Sequence, residues 1–323
     1  MPDSVVVAMS VDIEAIRDAA LRIADCVHRT PVMSSDTIDA EAGCELLFKC
    51  ENLQKSGAFK ARGAHNAVLK LDSRARAAGV ATHSSGNHGA ALAMAARRVG
   101  VPAYIVMPDN TPAMKVAAVR AYGGEITFCE SSQAAREVCL EEVCHRTGAV
   151  FIPPYDHPDI IAGQGTCVLE LSEQLPRPPD VLIAPVGGGG LLSGSAVASG
   201  SLWPDTAVIG AEPAGADDAR RSLLSGQRQP QPAPDTIADG LRTALGEHTF
   251  AIIRTGVDDI LTVPDSDIVA AMRLVLTRMK LVVEPSAAVG LAVVLSHRER
   301  FAGRRVAVIL SGGNLDIDAL PWS

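Results

Sequence analysis

Short, unbroken apolar runs recur along the chain, and between them apolar residues return every three or four positions. The first pattern predicts strands covered on both faces; the second predicts helices with one buried side. Ile13, Ile16, Ala20 and Ile23 share one face of a helix over residues 11–26, which Arg29-Thr30-Pro31 ends. Strands are predicted at Glu45 to Cys50, Gly79 to His83, Ala103 to Met107, Glu125 to Cys129, Ala149 to Ile152, Asp180 to Val186, Val208 to Glu212, Asp259 to Val263 and Arg305 to Leu310. Helices are predicted at Phe59 to Leu71, from Gly89 to Arg98, and at Pro112 to Tyr122, Gln133 to Arg146, Ile160 to Gln174, Leu191 to Ser199, Ala216 to Leu224, Asp265 to Lys280 and Pro285 to Leu295. The Pro- and Gln-rich stretch from Gly226 to Asp235 reads as a long surface loop.

Such regular alternation predicts an α/β fold with parallel sheets flanked by helices on both faces. Ligands in these folds sit beyond the carboxyl ends of the strands. Three polar, glycine-bearing segments fall there: Ser84-Ser85-Gly86-Asn87-His88-Gly89, Gly187-Gly188-Gly189-Gly190 and Ser311-Gly312-Gly313-Asn314. A fourth stretch, Ser56 to Ala64, holds one lysine, Lys60, between small and apolar residues at a predicted helix start.

Composition narrows the classes. The 323 residues are enough for one large or two medium cores, and 47% hydrophobic with 20% charged residues is ordinary for a soluble globular protein. A net charge of −8 argues against a sequence-independent hold on nucleic acid. The apolar runs are too short for a membrane span, and an N-terminus carrying Asp3, Asp12 and Glu14 does not read as a secretory leader. Seven scattered cysteines, with no C-x-x-C, predict free thiols in a reducing cytoplasm rather than a disulfide framework. The histidines show no metal-ligand spacing.

The four glycines leave no Cβ in the way of an oxyanion, and they open a helix whose N–H groups point outward. This predicts a phosphate cradle. The G-x-G-x-x-G register of dinucleotide sites and the Gly-Lys-Ser/Thr of a P-loop are both missing, so a single phosphate is the better fit. The hydroxyls, amide and N–H groups of residues 84–89 suit a carboxylate; they equally suit a helix N-cap, and both roles can coexist. Ser311 could face a bound ring where the following glycines allow close approach. Glu212 and Asp218, with a backbone carbonyl between them, suit a hard divalent cation, though a carboxylate there could equally cap the next helix.

These motifs, taken in order, resemble the fold-type II pyridoxal-phosphate enzymes, specifically the serine racemase and serine/threonine dehydratase family. The resemblance covers nearly the whole chain. It rests on Lys49 to Lys60, the S-S-G-N-H-G segment, Ala162-Gly163-Gln164-Gly165-Thr166, Gly187 to Leu191, Ala238-Asp239-Gly240, Glu284-Pro285-Ser286-Ala287 and Ser311 to Asn314. It implies two doubly wound domains with the active site between them: residues 1–78 with 153–323 hold the cofactor, and 79–152 form a smaller, mobile domain. It further implies that Lys60 forms an imine with pyridoxal 5′-phosphate, that Phe59 lies by the ring, that Asn87 bonds the 3′ oxygen and that Ser311 meets the ring nitrogen. Gly187, Gly188, Gly189, Gly190 and Leu191 resemble the phosphate site. Ser84, Ser85, Asn87 and His88 resemble the cradle of a small amino-acid substrate, with Arg136 and Thr243 as further contacts. Glu212, the Ala216 carbonyl and Asp218 match the racemase branch's site for Mg2+ (or Ca2+ or Mn2+). A homodimer is the family's usual assembly.

One position discriminates within the family. Serine racemases resemble this chain in carrying a serine at Ser85, where threonine dehydratases usually have alanine. Inversion needs a proton carrier on each face of a planar carbanion, so Lys60 on one face and Ser85 on the other predict racemisation alongside β-elimination. A serine rather than an acid at the ring nitrogen implies a weaker electron sink, which disfavours transamination. The alternatives are a pure threonine/serine ammonia-lyase or, because Arg136 suits a second carboxylate, a 3-hydroxyaspartate dehydratase. Two departures stand out. Ala58 replaces a frequent serine, and Ala90 replaces a glutamine of the animal racemases' nucleotide effector site, so ATP activation is not expected. The chain also lacks room for the regulatory domain of biosynthetic threonine dehydratases, so isoleucine feedback is not expected.

Overall fold

The structure, a computed structural model, describes residues 11–322. The N-terminal reading that rests on Asp3, and the first ten residues of the 1–78 segment, lie outside the described residues. Ten strands form two sheets: β1 (Val32–Met33), β2 (Glu45–Lys49), β3 (Val80–His83), β4 (Ala103–Pro108), β5 (Glu125–Cys129), β6 (Val150–Phe151), β7 (Val181–Pro185), β8 (Ala207–Pro213), β9 (Asp259–Val263) and β10 (Arg305–Ile309). The larger sheet has the order β1-β2-β10-β7-β8-β9 and the smaller β5-β4-β3-β6. Every pairing is parallel except β1 with β2.

The continuous apolar runs of β7 and β10 follow from their central place in the larger sheet. Val181, Ile183, Val306 and Val308 pack into one core with the helices Asp265–Leu274 and Pro285–Ser296. Leu182, Ala184, Ala307 and Ile309 point the other way, into a core with the helices Ile13–Ile23, Pro158–Gln174 and Gly190–Leu202. Alternate residues of one strand thus fill two cores, and both sets must be apolar. The smaller sheet is covered by the helices Asn87–Val99 and Lys60–Leu69 on one side and Gln133–Thr147 on the other.

The segment Ala162 to Thr166 has a packing role. A Cβ on Gly163 would lie 2.6 Å from the Gly63 Cα, and one on Gly194 would lie 2.5 Å from the Gly165 amide. The helix Pro158–Gln174 therefore touches backbone to backbone with the helix that Lys60 opens and with the helix that the glycine loop opens. Side chains there would push the two apart.

Sequence periodicity misses the helices Asp36–Ala42, Ser73–Ala78 and Glu247–Gly256 and the strand Val32–Met33. The helix expected from Asp265 to Lys280 is regular to Leu274, widens into a π turn over Val275–Met279, and ends at Lys280 with φ +60°. All seven cysteines are free thiols. Among the described residues, no helix is long and apolar enough to cross a membrane.

Candidate active site

The Lys60 stretch and the last motif of the chain lie side by side. The Phe59 N–H donates to the Ser311 carbonyl at 3.0 Å, the Gly313 N–H to the Gly57 carbonyl at 2.8 Å, and the Asn314 amide to the Ser56 carbonyl at 2.8 Å. The turn needs left-handed backbone at Ser56 (φ +59°) and Gly57 (φ +74°). Lys60 is the first residue of its helix; its Nζ donates to the Pro154 carbonyl at 2.6 Å and stands 5.0 Å from the Phe59 ring centre. Burial pushes the Lys60 amine down to about 8, against the opposing pull of the Glu284 charge. A lysine so placed is a usable nucleophile and base near neutral pH.

The loop after β3 meets this segment through Asn87. The Asn87 amide nitrogen donates to Glu284 at 2.7 Å, and its oxygen accepts from Asn314 at 2.8 Å. Both ends of the amide are thereby oriented. Ser84 takes the capping role: its hydroxyl accepts from the N–H groups of Gly86 and Gly89 at 3.3 and 3.1 Å. Ser85 is half-buried, and among the described residues its hydroxyl has no hydrogen-bond partner. His88 is buried with Nε2 3.0 Å from the Ile152 carbonyl, and its Nδ1 has no partner. Burial, helped by the Lys60 charge, pushes His88 down to about 3, so its ring is neutral.

Glu284 is a site residue that sequence reasoning missed as such. It is buried, its N–H bonds the Gly312 carbonyl, and a Cβ on Gly312 would collide with its carboxylate. Burial, with the Asp239 charge, pushes it up to about 8. Its signal was the Glu284-Pro285 pair, with proline at the first position of a helix. Pro154 and Tyr155 were also missed, because nothing local marks them.

The glycine loop follows β7. Among the described residues, the N–H groups of Gly187, Gly188 and Gly189 have no intramolecular acceptor. Gly189 has φ +92°, a Cβ on Gly188 would collide with the Tyr155 ring, and one on Gly187 would lie 2.9 Å from the Leu241 Cα. Leu191 is buried in the first turn of the following helix. Unpaired N–H groups on a side-chain-free surface at a helix start fit a phosphate.

Glu212 and Asp218 come together at a second place. Both are fully buried; Glu212 accepts from the N–H groups of Ala219 and Arg220 at 2.9 Å each, and Asp218 accepts from the Leu245 N–H at 3.2 Å. Burial pushes Glu212 up to about 8 and Asp218 up to about 6, each against hydrogen bonds that pull it down. The Asp218 Oδ1 is buried without a partner. Two buried carboxylates with one free oxygen, beside the buried Ala216, fit an oxygen-bound divalent cation. Arg136 and Thr243 stand apart. Arg136 is half-buried, bonds only the Ser132 carbonyl at 3.3 Å, and its charge reaches His83. Thr243 is exposed in the turn after Leu241.

Comparison with known proteins identifies the family. Residues 23–312 match the family described as pyridoxal-phosphate dependent enzyme. The chain is 48% identical over 302 residues to a β-hydroxyaspartate dehydratase of Paracoccus denitrificans, covering 94% of this chain and 96% of that one. It is 46% identical over 314 residues to a serine racemase of Arabidopsis thaliana, covering 96% and 95%. The solved structure of maize serine racemase superposes with a TM-score of 0.93 at 47% identity, covering 95% of each chain.

Proposed function

The chain belongs to the pyridoxal-phosphate dependent enzymes, with their fold-type II architecture, and within that family we propose that it racemises serine and deaminates L-serine to pyruvate and ammonia, the water lost in the β-elimination being returned when the resulting imine is hydrolysed. L-Threonine is a further substrate of the elimination. The observation that carries the reading is the unpartnered hydroxyl of Ser85, on the loop that Asn87 and Asn314 tie to the Lys60 segment.

When bound, the cofactor supplies an electron sink that acidifies the substrate Cα–H. The chain's own groups do the rest. The free N–H groups of the glycine loop hold the phosphate. Asn87, fixed by Glu284 and Asn314, would bond the ring oxygen through its remaining N–H, and Ser311 would meet the ring nitrogen. Residues 84–88 bind the substrate carboxylate, with Thr243 joining when the smaller domain (79–152) closes on the larger (1–78 with 153–323). Lys60 takes and returns the Cα proton on one face, and Ser85 serves the other. Glu212, the Ala216 carbonyl and Asp218 hold Mg2+ and brace the start of the helix Asp218–Ser225. The enzyme works as a homodimer, and its seven free thiols suit a reducing cytoplasm.

A second reading has support in Arg136, whose guanidinium makes one hydrogen bond among the described residues and could pair with a second carboxylate. It would make the chain a 3-hydroxyaspartate dehydratase, like its relative in Paracoccus denitrificans. Product analysis separates the two. The purified holoenzyme with Mg2+ is given L-serine and, separately, 3-hydroxyaspartate, and D-serine, pyruvate and oxaloacetate are quantified. The first reading expects D-serine together with pyruvate, and Ser85→Ala should lose D-serine far more than pyruvate. Oxaloacetate as the dominant product, without D-serine, would move the assignment to the dehydratase.

A further inference from the structure

Thr249 lies in the first turn of the helix Glu247–Gly256, a helix the sequence pattern does not announce. It is fully buried. Its hydroxyl accepts from the Gly246 N–H at 2.9 Å and stands 2.8 Å from the Gly188 carbonyl and 3.4 Å from the Gly246 carbonyl. A hydroxyl has one proton, and the shorter bond, to Gly188, takes it. The Thr249 backbone is held as well. Its N–H donates to Asp156 at 3.0 Å, beside a 2.9 Å bond from the Glu247 N–H to the same carboxylate, and its carbonyl accepts from Ser193 at 3.2 Å. Gly246 has no side chain to cap this helix; Asp156, ninety residues earlier, does so instead, and Tyr155 beside it packs across Gly188.

The consequence is geometric. In a trans peptide the carbonyl of one residue and the N–H of the next point in opposite directions, and the chain has no cis bond among its described residues. With the Gly188 carbonyl drawn toward Thr249, the Gly189 N–H must point away from Thr249, where, like the N–H groups of Gly187 and Gly188, it has no acceptor among the described residues. Glycine in the left-handed region has broad freedom, so a 188–189 peptide without that anchor could flip.

We infer that Thr249 is a positioning residue for the phosphate cradle: its hydroxyl sets the orientation of the Gly188–Gly189 peptide and so presents the Gly189 N–H to the phosphate. The inference rests on reading residues 187–191 as that cradle. Thr249 touches neither the reacting atoms nor Lys60. Its effect is therefore confined to ligands that carry a phosphate.

The test compares apoproteins of wild type, Thr249→Val, Thr249→Ala and Thr249→Ser. Dissociation constants are measured by absorbance for pyridoxal 5′-phosphate and for pyridoxal, which has the aldehyde and ring but no phosphate. Losing one buried hydroxyl bond should weaken pyridoxal 5′-phosphate roughly tenfold in the valine and alanine variants. Pyridoxal should be unchanged, and the serine variant should keep the wild-type ratio. The ratio is insensitive to general loosening, because both ligands would suffer alike. The alanine variant removes the hydroxyl without adding a methyl, so the result does not depend on the valine variant folding. Equal loss for both ligands, or an unchanged ratio, overturns the role of Thr249. A wild-type protein that fails to prefer the phosphorylated ligand overturns the cradle assignment, and the inference with it.

Discussion

Arg62 stands in the first turn of the helix that Lys60 opens, and replacing it by methionine should cost stability in a way that depends on pH. Its side chain is 1% exposed, and all five N–H donors are used. Nε and Nη2 meet Glu51 at 2.8 and 2.7 Å, Nη1 and Nη2 meet Glu170 at 3.2 and 3.1 Å, and Nη1 meets the Thr166 hydroxyl at 3.3 Å. Lys49 bonds Glu170 at 2.5 Å, and the Thr30 hydroxyl bonds Glu51 at 2.6 Å. Two cations and two carboxylates balance. Burial alone would raise Glu51, but the Arg62 charge and hydrogen bonds, with help from Thr30 and Lys49, hold it below its ordinary 4.5.

Removing Arg62 leaves Glu51 buried with a charge and too few partners, and its cheapest relief is to take up a proton. At pH 7 that costs about 3.4 kcal/mol, from 1.36 kcal/mol for each of about 2.5 pH units above 4.5. This agrees with the ~3–5 kcal/mol typical of breaking a buried pair from one side. At pH 5 the same step costs only about 0.7 kcal/mol. The sign follows from linkage. In the wild type the lowered Glu51 contributes stability that is present above 4.5 and is lost as pH falls through its folded value. In the variant Glu51 is raised, so stability falls as pH climbs above 4.5. The deficit of Arg62→Met should therefore widen by roughly 2–3 kcal/mol between pH 5 and pH 7. Urea unfolding of the apoproteins at both pH values measures it, and Glu51→Gln combined with Arg62→Met should remove the pH dependence. A deficit that stays constant over this range, or remains below about 1 kcal/mol, would refute the account of Glu51 as an otherwise uncompensated charge.

Three further outcomes follow from the site. The rate of covalent capture of pyridoxal 5′-phosphate by Lys60 in the apoprotein should rise with pH through a midpoint near 8, and Glu284→Gln should move it lower by removing the charge that holds Lys60 up; a midpoint at or above 10 would mean that the amine is not enclosed. By the same linkage, between about 8 and 10.5 the unfolded chain keeps a proton on Lys60 that the folded chain has lost, so this group makes the apoprotein more stable as pH rises through that window. Mg2+ should raise the melting temperature and a chelator should lower it, while Asp218→Asn should abolish the difference; an unchanged melting curve with and without metal in the wild type would remove the cation site.

The alternation of apolar runs with helical periods was enough to foretell parallel sheets flanked by helices, because central strands such as β7 and β10 fill a core on each face and are apolar along nearly their whole length. Lys60, the four glycines and Ser311 to Asn314 were legible for a related reason: each occupies the carboxyl end of a strand or the start of a helix and carries its own local chemistry. What stayed hidden depends on contacts distant in sequence. The helix Glu247–Gly256 has glycine where a capping side chain is expected, and its cap arrives from Asp156. Ser73–Ala78 buries no residue, so it shows no apolar stripe. Arg62 reads as a solvated charge until Glu51 and Glu170 are seen to enclose it. Glu284 reads as the residue before a helix-opening proline until Asn87 and Gly312 are brought against it.

The same contacts join the two sheets. The glycine loop, Glu284 and Ser311 belong to the larger sheet and its helices, Ser84, Ser85, Asn87, His88 and Arg136 belong to the smaller one, and Lys60 opens a helix that covers the smaller sheet while the turn before it is tied to Ser311 and Gly313. Asn87 is the crossing point, since its amide is held by Glu284 and Asn314 across the gap. A second crossing lies nearby, where Lys115 of the helix Ala113–Ala121 pairs with Asp239, whose charge in turn reaches Glu284. A carboxyl held near 8 against a lysine held near 8 is sensitive to whether both crossings are made. On the proposed function, bringing the sheets together would complete the substrate cradle and also set the charge around Lys60. Substrate binding by residues 84–88 and proton movement at Lys60 would then be coupled through these two crossings.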